Sequence, residues 1–258
     1  MRPDHPKPLP TLAFDIGNTT VKAAVGAARS WHTVFRASTT PVSSLADRLA
    51  DGLHDRLPAD CERCIACSVH PEANAAVGAF WRGAGRPGDA EFFGADLPVP
   101  IATNVDHPER VGTDRLLLAL GARALAGPPC VVVSAGTAIT VDLVDPDGAF
   151  AGGAIAPGFG LAAAALHERT ALLPLVEPRP PERLPATDTP EAVEAGVYWC
   201  CAGGVAALIK RYALPTVGNV PIVCTGGDAE LLRPVLPAGT LFEPQLVFVG
   251  MARALSQE

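Results

Sequence analysis

The chain has 258 residues, enough for one large domain or two of ordinary size. Its net charge of −7 and pI near 5.4, with no Lys/Arg cluster, leave no electrostatic footprint for nucleic acid or an anionic membrane surface. Nearly half the residues are apolar, and 25 glycines with 26 prolines stop short of low complexity, so a folded core of Ala, Val and Leu is expected.

Residues 1–10, MRPDHPKPLP, read as a loose leader without signal-peptide character, and no apolar run reaches membrane-spanning length. A cytoplasmic protein is expected. Next, 11–15 and 20–26 read as strands joined by the tight turn Gly17-Asn18-Thr19, with a third strand over 31–37. Ser43 or Ser44 is placed to cap a helix whose Leu45, Leu49, Leu53 and Leu57 form one apolar stripe. The stretch 61–67, CERCIAC, has C-x-x-C-x-x-C spacing. RCIACSV reads as a buried strand, however, in which Cys64 and Cys67 point to opposite faces. The seven cysteines are therefore expected as reduced thiols, with no metal cluster.

His70-Pro71 leads to a short helix and a Gly-rich loop at 83–88. Residues 112–125 look helical and largely buried, and Gly127-Pro128-Pro129 breaks the chain. A second hairpin follows at 130–145, with its return turn at Asp147-Gly148; GGAIAPG then leads into a helix at 161–172, and a proline-rich loop covers 174–190. Thr189-Pro190-Glu191 has the form of a helix start: capping hydroxyl, proline, then acid. That helix runs toward Lys210, with Gly203-Gly204 open to another backbone. VPIVC is a buried strand ending at Thr225-Gly226-Gly227, and helices are expected at 228–236 and 246–256. The outcome is an α/β protein of two similar halves, 11–127 and 128–258.

The halves share a motif. LAFDIGNTTVKAAV at 12–25 and VVVSAGTAITVDLV at 131–144 align residue for residue, with Asp15 matched by Ser134. A strand ending in Asp, then glycine and polar residues, suits a phosphate site: glycine admits backbone N–H groups, Asn18 and Thr19 add donors, and Lys22 adds charge. Asp15 is placed to hold Mg²⁺. Alone, the stretch reads equally as a plain hairpin. The repeat favours phosphate binding, because two such turns can face each other across a cleft, Gly136 and Thr137 doing for one half what Gly17 and Asn18 do for the other. With the third glycine turn at Gly226-Gly227, the set resembles the actin-like, hexokinase-like ATPase fold. Phosphoryl transfer also needs a base, and Asp114, opening a buried helix beside Arg115, suits it. Its other reading is service to the helix dipole.

With these residues in place, nearly the whole chain resembles the type III pantothenate kinases. DIGNTTVK at 15–22 is similar to the family's D-x-G-N-T motif, SVHP at 68–71 to S-V-x-P, HPERVGTDR at 107–115 to P-x-x-V-G-A-D-R, and SAGTAIT at 134–140 to D-x-G-T-A-x-T. GGAIAPG at 152–158, the Thr189 helix start and CTGGDAELL at 224–232 follow in family order. The resemblance implies two ribonuclease H-like halves of the actin/hexokinase-like ATPase fold with a cleft between them, and a homodimer binding pantothenate near its interface. It implies ATP and Mg²⁺, and for the family a monovalent cation, K⁺ or NH₄⁺. Phosphate contacts fall to Asp15, Ile16, Gly17, Asn18, Thr19, Thr20, Val21, Lys22, Gly136, Thr137, Gly226 and Gly227. Pantothenate contacts fall to Gly112, Thr113, Asp114 and Arg115, with Asp114 as general base and Thr189 arriving from the neighbouring subunit.

Three positions depart from the family pattern. Ser134 replaces the aspartate that helps hold the monovalent cation, Val105 a tyrosine lining the pantothenate pocket, and Gly160 an arginine. A neutral hydroxyl binds a cation less well than a carboxylate, so either little K⁺ dependence or low activity without a compensating cation is expected, and Asp142 is no obvious replacement. The reading is ATP-dependent phosphorylation of pantothenate to 4′-phosphopantothenate, the first step of coenzyme A synthesis. Its alternatives are a weakened or non-catalytic nucleotide-binding relative, or a kinase for another small hydroxylated acceptor.

Overall fold

The computed structural model describes residues 10–27, 30–212 and 220–256. The expected leader, apart from Pro10, lies outside the described residues. In chain order come β1 (Thr11–Ile16), β2 (Thr20–Ala27), β3 (Ser30–Ser38), α1 (Leu45–Leu53), β4 (Arg63–Ser68), α2 (Pro71–Gly83), β5 (Glu91–Phe92) and α3 (Thr113–Ala126). Then come β6 (Cys130–Ala135), β7 (Ala138–Val144), β8 (Phe150–Pro157), α4 (Phe159–Arg169), α5 (Thr189–Tyr212), β9 (Ile222–Thr225), α6 (Ala229–Leu232), β10 (Leu241–Phe242) and α7 (Leu246–Leu255).

Two five-stranded sheets carry the fold, ordered β3-β2-β1-β4-β5 and β10-β9-β6-β7-β8. Read from the middle strand, they share one topology: an antiparallel three-strand meander, then two parallel strands on its other side. The duplication seen in the two hairpins thus extends over whole sheets.

The chain divides into two compact units. One holds the chain up to Pro100, Glu109–Gly121 and the residues from Val247 on; the other holds Ile101–Pro108 and Ala122–Leu246. A single cut between 127 and 128 misses the return of α7 to the first unit. There Phe248 stacks on Trp31 with ring centroids 5.9 Å apart, and Gly250 lies against the Leu117 backbone.

Strand alternation decides which side chains serve the core. In the first unit Leu12, Phe14 and Ile16 pack with Leu45, Leu49 and Leu53 of α1 and with Val77, Phe80 and Trp81 of α2. Leu57 lies beyond α1 but still packs on this core. Ser44 holds the N-cap position without capping, its hydroxyl donating instead to the Pro41 carbonyl at 3.4 Å. In the second unit Val131, Val133 and Ala135 pack with Tyr198, Cys201, Ala202, Val205 and Ile209 of α5. Asp15 and Ser134 alternate with these residues and face the other side of their sheets.

Helix α2 runs 13 residues and is not short. GGAIAPG is strand β8, and the helix expected over 161–172 begins at Phe159 and ends at Arg169. Of 228–236, only Ala229–Leu232 is α-helical. The cap of α5 is Asp188 and not Thr189: its carboxylate accepts from the Glu191 N–H at 2.9 Å, and its carbonyl from Ala192 at 3.0 Å. Among the described residues, nothing beyond the neighbouring turns of α5 itself lies within 4 Å of a Cβ built on Gly203 or Gly204, so the backbone approach expected there is not made among them. Helix α5 has 24 residues with a mean hydropathy of 1.6 over its most apolar 18, so by length and composition it reaches what a membrane span needs. Its uncharged stretch between Glu194 and Lys210 is shorter than a membrane span, so no spanning run was expected from the sequence. Its Val205 and Ile209 lie in the second core.

Candidate functional site

In the first unit, β1 stops at Ile16 and the chain turns through 17–20, the Gly17 N–H donating to the Thr20 carbonyl at 2.9 Å. Asn18 and Thr19 are exposed at the tip. The register sets Lys22 opposite Asp15 on one side and Cys67 opposite it on the other. Lys22 Nζ lies 3.7 Å from Asp15 Oδ2, so the lysine expected to meet phosphate is paired with the aspartate. Burial pushes the Asp15 carboxyl up, Lys22 pulls it down, and nearby Asp114 pushes it up again.

Asp114 opens α3. The Gly112 carbonyl accepts from the N–H groups of Arg115 at 3.0 Å and Leu116 at 3.3 Å, which begins the helix there. Burial raises the Asp114 pKa, against the Arg115 N–H, the Arg115 guanidinium and its own N–H, which lower it. The buried Cys67 thiol is pushed well up by burial and then by Asp15 and Asp114. The first unit therefore brings together Asp15, Asp114, Lys22 and the 17–20 turn, with Gly112, Thr113 and Arg115 half-buried beside Asp114.

The second unit repeats the turn one residue shorter. Ile16 pairs with Val21, leaving four residues between them, whereas Ala135 pairs with Ile139, leaving three. Ser134 therefore faces Thr140, and Thr225 is its other neighbour. Where one sheet has the row Lys22–Asp15–Cys67, the other has Thr140–Ser134–Thr225. The charge is missing on both members of the hairpin pair. Asp142 is buried two residues along β7, its carboxylate against Gly153.

Three segments meet at this turn. The Gly158 N–H donates to the Thr137 carbonyl at 2.9 Å and the Asp228 N–H to the Ala135 carbonyl at 3.0 Å. A Cβ on Gly158 would overlap the Gly136 carbonyl; on Gly226, whose φ is +106°, it would overlap Ala135. Gly226 thus joins Gly136 and Thr137 as expected, with Gly227 exposed beside it. Gly158 was legible only as part of the A-P-G match. Thr189 is exposed at the start of α5, lining an open depression of about 510 Å³ with Leu166, Leu173 and Val193. Val105 lies near Gly152, and among the described residues nothing beyond the local backbone of α4 lies within 4 Å of a Cβ on Gly160. Among the described residues all seven cysteines are free; Cys64 lies in the first core and Cys67 on the opposite face of β4.

Two like sheets, each carrying a glycine turn after its first strand, define the actin/hexokinase-like ATPase fold. Solved structures with this fold include a Sinorhizobium meliloti protein assigned as a 2-dehydro-3-deoxygalactonokinase (15% identity, TM-score 0.59, covering 96% of this chain and 98% of that one). Another is a Campylobacter jejuni protein assigned to the Baf family of transcriptional activators (18%, TM-score 0.59, 95% and 98%). At such identities they show the fold alone.

The particular family follows from sequence. The type III pantothenate kinase profile matches residues 11–211, and the chain belongs to that family. It is 34% identical to the type III pantothenate kinase of Phenylobacterium zucineum over 93% of this chain and 95% of that protein. It is also 34% identical to that of Chlorobium luteolum, over 95% and 93%. It is thus a transferase that phosphorylates pantothenate on the route to coenzyme A.

Proposed function

We propose that Asp114 is the general base of this reaction and that the turns at 17–20 and 136–137 are its phosphate ligands. The observation carrying this is the placement of Asp114 beside Asp15 and the first turn, with burial raising both carboxyl groups. Asp114 takes the proton from the pantothenate hydroxyl as that oxygen bonds to the γ-phosphorus of ATP and the bond to the ADP oxygen breaks. Gly17, Asn18 and Thr19 offer backbone and side-chain donors to phosphate, as do Gly136 and Thr137 in their own unit. Gly112, Thr113 and Arg115 orient the acceptor. ADP release measured with pantothenate and a panel of hydroxylated acceptors tests the assignment; turnover with another acceptor and none with pantothenate would overturn it.

Asp15 fits a magnesium ion, because a cation relieves the burial cost of its carboxylate and Mg²⁺ needs only one or two carboxylates beside phosphate oxygens. When bound, Mg²⁺ neutralises charge on those oxygens. The row Thr140–Ser134–Thr225 offers only neutral hydroxyls and does not fit a carboxylate-based site for K⁺ or NH₄⁺. Exchanging K⁺ for a non-coordinating cation should therefore change kcat by less than about threefold, and Ser134→Asp should make activity K⁺-dependent. A steep K⁺ dependence of the native protein in this titration would refute the idea.

We further propose a homodimer. Leu172 is 91% exposed and Trp199 46%, and Leu161, Leu166 and Leu175 are exposed as well, all on α4, α5 or the loop between them. Thr189 opens the same helix α5, which supports its reaching the acceptor of a neighbouring subunit. Light scattering should give twice the chain mass, falling to one chain mass for Trp199→Glu; a monomeric native protein would remove the proposal.

A further inference from the structure

Thr39 is completely buried, although it is polar and lies just past the end of β3. Its hydroxyl donates to the Gly17 carbonyl at 2.7 Å, and its N–H donates to the Thr19 carbonyl at 2.9 Å. The two carbonyls flanking Asn18 are thus both held by one residue. In a trans peptide the C=O and the following N–H point in opposite directions. Fixing the Gly17 carbonyl on Thr39 therefore aims the Asn18 N–H away from Thr39, and fixing the Thr19 carbonyl aims the Thr20 N–H away from β3.

Thr39 is itself held from α1. Arg48 donates through one terminal nitrogen to the Ser38 carbonyl at 2.7 Å, and through the other to the carbonyls of Pro41 at 3.0 Å and Thr39 at 3.4 Å. A guanidinium forked over three carbonyls makes segment 38–41 a rigid shelf. The turn stands on that shelf.

We propose that Thr39 is a positioning residue for nucleotide binding: it presets the 17–20 turn with its N–H groups directed at phosphate, and Arg48 anchors it. The inference rests on the reading of 17–20 as a phosphate turn. A flexible turn would lose conformational freedom on meeting ATP, and preorganisation removes that cost. Thr39→Val keeps the shape and deletes the hydroxyl, leaving the Gly17 carbonyl without that donor.

The test is steady-state kinetics plus calorimetric ATP binding on Thr39→Val, Thr39→Ser, Arg48→Met and Asn18→Asp. Thr39→Val should raise the KM and Kd for ATP about tenfold, the worth of one lost hydrogen bond. The KM for pantothenate and kcat should stay within about threefold, and Thr39→Ser should restore ATP affinity. Equal loss in all parameters, or no change in ATP affinity, would overturn the proposal. If Thr39→Val does not fold, Arg48→Met decides: it should raise the KM for ATP selectively, and an unchanged value ends the idea. Asn18→Asp, isosteric but anionic at the tip of the turn, separates the two readings. Unchanged ATP affinity in that variant removes the phosphate turn itself; weakened affinity there beside an unaffected Thr39→Val removes only the role of Thr39.

Discussion

Asp114→Asn should lower kcat by about two orders of magnitude or more, the usual loss when a positioned base is removed. Asparagine keeps the size and the polar contacts at the start of α3 but cannot take a proton. ATP affinity should therefore stay within about threefold of the native value, which separates a lost base from a collapsed site. The pH dependence gives an independent check. Burial raises the Asp114 pKa above its ordinary 3.8, and the active form is deprotonated, so kcat/KM falls as pH falls through that raised value. The acid limb should lie above 3.8 in the native protein and be absent from the residual activity of the asparagine variant. Near-native turnover in that variant would end the assignment.

Gly226→Ala should destabilise the protein by about 3 kcal/mol, combining backbone strain at a positive φ with overpacking. The φ of +106° is one that alanine rarely adopts, and the added methyl would overlap the Ala135 backbone, which cannot swing aside as a side chain can. Relief requires moving 226–228 off the turn at 136–137, so the KM for ATP should rise as well. Gly160→Ala is the contrast: its site is open and helical, and the change should be neutral or gain up to about 1 kcal/mol. Chemical denaturation of the two variants side by side is the measurement. An unchanged midpoint for Gly226→Ala would mean that the turn and the glycine are not tightly packed.

Much of the candidate site's geometry was legible because it is local. A strand ending in Asp-x-Gly-Asn-Thr carries its own geometry, and an acid opening an apolar helix is visible as such. What failed to show was mostly non-local or compositional. The pairing of Lys22 with Asp15 depends on hairpin register, and the capping of α5 by Asp188 instead of Thr189 turns on which of two adjacent residues adopts helical angles. Strand β8 has the Ala/Gly composition of a flexible linker and becomes a strand because β7 offers it an edge. Thr39 was invisible because nothing in FRASTTP says which hydroxyl will be buried against a turn 22 residues away.

The sequence by itself determined the duplicated architecture, the positions of both turns and the family, since these rest on short motifs and on apolar periodicity that any fold of this chain must respect. The tertiary structure decided what the loss of the acid at Ser134 means. The second hairpin turns one residue early, so Ser134 faces Thr140 and not Val141, and the charged row of the first sheet becomes a row of hydroxyls. Register across strands is set by turn length and by burial of alternate side chains, and a residue-for-residue alignment carries neither.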